Sequence, residues 1–226
     1  MIMALIRKEL RETRAFVGLT VLVYFAYVSK LTGTGGPIFG NLVSFAPGMN
    51  VSPRDIPFVQ DNFVSILIFV GAALAIALGF RQSAWEPSQG TSLYLLHLPM
   101  SRRGLFLTKL VTGSVLVLAC ALVPLLLYAS WAATPGTHAG PFAWSMTVPS
   151  IRAWLTLPLV YLGAFASGLR PARWFGSRLF PLVAVAPPAM LAVAVPYWWL
   201  VGLPVIILAG AVLVSDILRV AATRDY

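Results

Sequence analysis

Chemistry at a protein site needs ionisable or nucleophilic side chains brought together, and this chain carries few: two histidines, one cysteine and seven carboxylates in 226 residues. No His-Glu-x-x-His pair offers a zinc site and no Gly-x-Ser-x-Gly elbow presents a nucleophile. His97 and His138 fall in loops that the topology below assigns to opposite faces, and Cys120 lies alone inside an apolar run, so no intramolecular disulfide or cysteine-based metal site can form. The acids Glu9, Glu12, Asp55, Asp61, Glu86, Asp216 and Asp225 all stand in loops, tails or near the end of an apolar run. The Gly-rich stretch Gly33–Gly36 lacks the lysine and the flanking strand and helix of a phosphate-binding loop, so ATP hydrolysis by that route is excluded. The expectation is a chain that is not itself an enzyme, with no catalytic, metal or cofactor-binding residues of its own.

One polar insert is organised differently. In Ala84–Gly104, Pro87-Ser88-Gln89-Gly90-Thr91 reads as a turn entering a short helix, with Ser88 or Thr91 available as N-cap. Leu93, Leu96 and His97 fall at i, i+3 and i+4, with Tyr94, Leu95 and Leu98 beside them, and Pro99 ends the helix. Ser101 can cap the helix that follows, with Arg102 and Arg103 at the headgroup level. A short helix held between two membrane spans can transmit force from a soluble partner. The plainer alternative is an interfacial re-entry helix that stabilises the hairpin and binds nothing, with Glu86 paired to Arg81 or Arg102 at the headgroups.

The elements that position this insert are set by hydropathy. The chain is 59% hydrophobic and 10% charged with a mean hydropathy of +0.86, outside the range of a soluble domain. Apolar windows long enough to cross about 30 Å of hydrocarbon recur at residues 15–31, 63–80, 105–131, 151–169, 179–195 and 198–218. Continuous runs exclude the alternation of a membrane β-barrel, so the fold class is an all-α polytopic membrane protein with six spans in a single transmembrane domain over 1–226. The net charge of +9 forms no stripe for nucleic acid, and the basic residues sit at span ends. With the N-terminus inside, all the basic residues except Lys30, Arg54 and Arg152 collect on the inner face, which places both termini in the cytoplasm.

Residues 2–14 carry Met3, Ile6 and Leu10 at helical spacing with Lys8, Arg11 and Arg14 elsewhere, the pattern of an amphipathic helix lying on the inner surface. A basic topogenic flank explains the same arginines, and the first span reads as retained rather than as a signal peptide. Gly71, Ala75 and Gly79 fall four apart and give the second span a small face for close packing, or reflect only an Ala-rich helix. Pro187-Pro188 in the fifth run predicts a helix bent or broken at that depth, as a lining of a moving path or as a structural kink.

At Glu86, Gly90-Thr91, Leu95-Leu96, Leu98-Pro99, Ser101-Arg102 and Lys109, between the second and third spans, the chain resembles the permeases of the type-2 ABC transporter family, and the opening Ala4-Leu-Ile-Arg-Lys-Glu-Leu-Arg-Glu-Thr-Arg14 resembles that family's N-terminal elbow helix. The resemblance implies a membrane dimer, of two copies or of two similar permeases, each docked on a separate P-loop ATPase that carries ATP and Mg. The docking residues it implies are Glu86, Gly90, Thr91, Leu93, Tyr94, Leu96, His97, Pro99, Ser101 and Arg102 on a cytoplasmic coupling helix. It also implies a translocation path near Gly71, Ala75, Gly79, Pro187 and Pro188. Where some relatives have a large external domain, this chain has the compact loop Thr32–Asn62. The expected function is the permease subunit of an ATP-driven exporter in a prokaryotic inner membrane. Other readings are an assembly factor that recruits a soluble partner to the inner face, or an ion-coupled carrier, which the lack of a central carboxylate disfavours. Ala, Val, Leu and aromatic side chains along the spans suit an amphiphilic cargo.

Overall fold

A backbone in hydrocarbon finds no water for its N–H and C=O groups, so an apolar run closes its hydrogen bonds on itself as a helix. The computed structural model describes residues 2–34, 56–85, 101–138, 140–170 and 177–223. They form α1 (Ile2–Leu31), α2 (Phe63–Phe80), α3 (Arg102–Ala133), α4 (Val148–Leu169), α5 (Phe180–Ala194) and α6 (Leu203–Thr223). Single 3₁₀ turns lead into α4 and α5, a π-helical turn at Arg81–Trp85 extends α2, and another at Trp198–Gly202 opens α6. With these extensions the six helices are each long and apolar enough to cross a membrane, the number that hydropathy predicts.

The central span is α4, which packs on α2, α3, α5 and α6. Its contact with α2 is close because glycine permits it. A Cβ on Gly79 would stand 2.7 Å from Ala164 Cβ and 2.8 Å from the Phe165 backbone nitrogen, and one on Gly71 would stand 2.7 Å from Leu157 Cδ1. The predicted small face of the second span is thus buried against the fourth. Polar side chains reinforce the bundle where a backbone group needs a partner. The Trp154 indole N–H donates to Leu118 O across α3 and α4 at 2.8 Å. The Tyr24 hydroxyl donates to Leu67 O across α1 and α2 at 2.9 Å. Arg152, an exception to the charge bias, donates to Val195 O at 3.2 Å, where α5 ends and a cation is favoured.

At the opposite end from the termini, Asp61 organises the approach to α2. Its carboxylate accepts the Phe58 N–H at 2.9 Å, the Phe63 N–H at 3.0 Å and the Tyr128 hydroxyl. This holds Phe58 at φ 64°, a left-handed conformation that a phenylalanine seldom adopts, while its ring packs on Phe63, Tyr128 and Phe142.

Two helices are continuous where the sequence suggested a change of course. The amphipathic opening and the first span form one unbroken helix from Ile2 to Leu31: no Pro interrupts the run and the first turns pack on the bundle. Of the bend or break expected at Pro187-Pro188, the break is absent: α5 runs on from Phe180 to Ala194 with both prolines inside it. Pro187 is exposed and Pro188 half-buried, so the rings occupy an uncrowded side of a helix that is itself little enclosed.

Candidate functional site at the basic end of the bundle

Residues Leu5, Glu9 and Thr13 fall at i, i+4 and i+8 of α1, and this is the stripe that the bundle buries. Leu5 packs on Leu105 and Phe106 of α3, and the Thr13 hydroxyl donates to Glu9 O at 2.7 Å. Met3 and Leu10, from the apolar face read in the sequence, are exposed instead. The helix is turned so that a carboxylate points inward, with Glu9 only 1% exposed.

Two other spans meet that carboxylate and a third joins them. The π-helical turn at the end of α2 buries Gln82 and Ser83, and Gln82 Nε2 donates to Glu9 Oε2 at 2.8 Å. From the second turn of α3, Lys109 Nζ stands 3.8 Å from Glu9 Oε1 with its side chain 4% exposed. From α4, the wholly buried Tyr161 donates its hydroxyl to Gln82 Oε1 and lies 3.1 Å from Lys109 O. Gly113, one turn beyond Lys109, makes space for that ring, since a Cβ there would stand 2.3 Å from it. Gly168 similarly accommodates Ser83, whose Oγ would lie 1.8 Å from an added Cβ and which donates to Gly79 O at 2.6 Å.

The result is a buried polar knot made by one residue from each of α1, α2, α3 and α4. Its electrostatics favour a fixed geometry. An ammonium and a carboxylate removed from water are each costly alone and tolerated together, so any movement that separates Glu9 from Lys109 is opposed. Among the described residues, no three His, Cys, Asp or Glu side chains gather in a way that could hold a metal ion. The knot is built to couple helices.

The predicted site residues fall in three places. Ser101 caps α3, accepting the Gly104 N–H at 3.2 Å, and Arg102 begins that helix at the surface. Gly71, Ala75 and Gly79 lie within the α2–α4 contact, and Pro187 and Pro188 lie on α5. Glu86, Gly90, Thr91, Leu93, Tyr94, Leu96, His97 and Pro99 lie outside the described residues. The described ends that flank this insert are the very turns that carry Gln82 and Lys109. Sequence reading missed Glu9, Gln82 and Tyr161 as a unit. The only signal was a carboxylate at i+4 from Leu5 and i−4 from Thr13, hidden among charges that suit a solvated face.

A family model described as ABC-2 family transporter protein matches residues 3–172. The chain belongs to the ABC-2 transporter family. It is a transport permease, the membrane component of an ABC transport system. The match runs from α1 through α4 and takes in the insert, so all four residues of the knot in this ABC-2 permease lie inside it. Comparison with curated proteins and with solved structures finds no match.

Proposed function

We propose that this permease is the membrane subunit of an ATP-driven exporter that works by alternating access, with a separate P-loop ATPase docked on the insert between α2 and α3. The observation that carries the reading is the knot. Gln82 and Lys109 flank the insert on either side, and both are tied to Glu9 of α1, while Tyr161 of α4 joins Gln82. A push on the insert reaches α2 and α3 first, and the buried ion pair and hydrogen bonds oblige α1 and α4 to follow. Packed helices shift between discrete arrangements rather than deforming smoothly, which suits a two-state membrane unit.

Within this reading ATP and Mg bind the partner ATPase, and closure of two ATPases drives a pair of permeases, identical or similar, between inward- and outward-facing forms. The basic end of the bundle faces the cytoplasm of a prokaryotic cell, with both termini on that side of the inner membrane. An amphiphilic cargo fits the apolar character of the spans. The docking residues are Glu86, Gly90, Thr91, Leu93, Tyr94, Leu96, His97, Pro99, Ser101 and Arg102. The path is proposed near Gly71, Ala75, Gly79, Pro187 and Pro188, which requires the α2–α4 contact to open in one of the two forms.

The test is affinity purification of the chain from its native locus in mild detergent, with mass spectrometry of what accompanies it. A stoichiometric P-loop ATPase, lost from the Leu93→Asp/Leu96→Asp variant while the six spans still insert, is the expected result. A chain that comes alone, or a double variant that keeps its partner and full transport, overturns the docking assignment. A stoichiometric partner without a P-loop favours the assembly-factor reading.

A further inference from the structure

The π-helical turn at Arg81–Trp85 ends α2 where the chain enters the insert. The Arg81 N–H is shared between Ala77 O and Leu78 O, which tightens the end of the α-helical part, and the five residues that follow open into the wider turn. A π-turn spans i to i+5 and is rare beside the α-turn, so its surroundings must favour it here. Two adjacent side chains supply that support. Gln82 is bound in the knot, while the Ser83 hydroxyl donates to Gly79 O, four residues back, and is seated over Gly168 of α4. An α-turn sets neighbours about 100° apart, and with Gln82 kept in the knot it would carry Ser83 off that seat. The seat has a place in the α2–α4 seam. Gly71 against Leu157, Gly79 against Ala164 and Ser83 against Gly168 form three successive levels, of which the last is nearest the basic end. Beyond it, Gly168 O accepts Arg178 Nη2 at 3.2 Å and Ser167 Oγ accepts the Leu182 N–H at 3.0 Å, so the same end of α4 also holds the start of α5.

We infer that the π-turn and Ser83 form a latch at the basic end of the α2–α4 seam. In the closed form, the one described here, the π-turn seats Ser83 on Gly168. Conversion to an α-turn rotates the end of α2 by one residue's angle, roughly 100°, withdraws Ser83, and lets the end of α4 part from α2 together with the start of α5. The stem of α2 need not rotate, because Gly71 and Gly79 precede the turn, and Gln82 remains in the knot as the pivot. The π form keeps the Ser83 contacts and the α form keeps regular backbone winding, an exchange that gives the two discrete arrangements a switch needs. The inference rests on the exporter reading for its trigger, a push on the insert. It adds to that reading the contact that must part first if a path between α2 and α4 is to open at the basic end.

The experiment is double electron-electron resonance on the full-length chain in lipid nanodiscs, with whatever subunits copurify, in a Cys120→Ala background. Spin labels on Phe69→Cys and Trp85→Cys, both exposed, read the turn within α2, and labels on Trp85→Cys and Val183→Cys read the parting of α2 from the α4–α5 end. Each pair should give one dominant distance in the otherwise natural chain. Gly168→Ala, whose Cβ would meet Ser83 Oγ at 1.8 Å, should move most of the population to a second distance in both pairs. Ser83→Ala keeps the space but loses the bond to Gly79 O, and should raise the second population about fivefold, the worth of one hydrogen bond. Gly210→Ala, where an added Cβ meets Leu159 at an ordinary 3.6 Å, should keep the natural distances. Unchanged distances in folded Gly168→Ala and Ser83→Ala chains would overturn the latch, and if Gly168→Ala does not fold then Ser83→Ala decides. With the ATPase present, Mg-ATP should populate the same second distances. Variants that switch while Mg-ATP moves neither pair would keep the latch and overturn the ATP-driven reading. A response of the Trp85 and Val183 pair alone, with the pair inside α2 fixed, would keep that reading and overturn the latch, because the helices then part as rigid bodies.

Discussion

Removal of the charge on Glu9 tests the knot most directly. Glu9 and Lys109 are 1% and 4% exposed at their side chains, so neither has water to fall back on. In Glu9→Gln the buried Lys109 ammonium loses the Glu9 charge, and breaking a buried pair in this way costs about 3–5 kcal/mol. For a chain of this length that corresponds to a fall in unfolding midpoint of roughly 10 °C. Lys109→Met removes the ion pair from the buried Glu9 carboxylate and should cost a similar amount. The double variant Glu9→Gln/Lys109→Met removes both charges, retains the Gln82 contact and fills the lysine's space with an apolar chain. It should lie within about 1 kcal/mol of the natural protein, because replacing both members of a buried pair is close to neutral. The assay is a double-mutant cycle of thermal unfolding for the purified protein in detergent, which isolates the pairwise energy. Costs of the two single variants that simply add in the double would show that the charges do not interact, and the mechanical reading of the knot would fall with them. A second readout separates structure from function. The stable double variant should insert and fold, yet couple ATP turnover to transport less well, because α1 then loses its ion pair to α3 and keeps only the Gln82 contact within the knot.

Three further outcomes follow from packing at other levels of the bundle. Gly79→Leu should destabilise by about 1–3 kcal/mol or more, since its Cβ alone would meet Ala164 Cβ at 2.7 Å and backbone at 2.8 Å. Gly18→Ala on the open side of α1, with nothing within 4 Å, should match or exceed the natural protein by up to about 1 kcal/mol in the same unfolding assay. Asp61→Ala leaves the Phe58 and Phe63 N–H groups and the Tyr128 hydroxyl without their common acceptor, so limited proteolysis between residues 56 and 62 should speed up at least several-fold while the basic end keeps its protection.

The six spans and the capping of α3 by Ser101 were legible in the sequence for a single reason: each depends on local composition. An apolar run must be helical in lipid whatever its neighbours are, and a serine before a helix finds the third N–H without help from the fold. The small face of α2 was legible as a packing surface, yet its partner was not, because Gly71 and Gly79 specify how close a neighbour can come and not which of five it will be. The knot was illegible for a different reason. Helical periodicity assigns Met3, Ile6 and Leu10 to a face on the membrane surface and leaves open which residues of the opening turns meet the other helices. In a membrane protein the outer solvent is itself apolar, so Met3 and Leu10 can remain outside and a polar stripe can turn to the centre.

The sequence by itself determined that this chain crosses a membrane in six helices, that its basic residues gather at one end, and that it carries no P-loop of its own, since hydropathy, charge and motif are properties of residues in order. Only the tertiary structure decided that Glu9, Gln82, Lys109 and Tyr161, spread over more than half the chain, meet in one buried knot, and that Ser83 is seated on Gly168. Helices that are equally apolar on every side can be assembled in many orders, and what selects one is the fit of glycine faces and the need of each buried polar group for a partner on another helix.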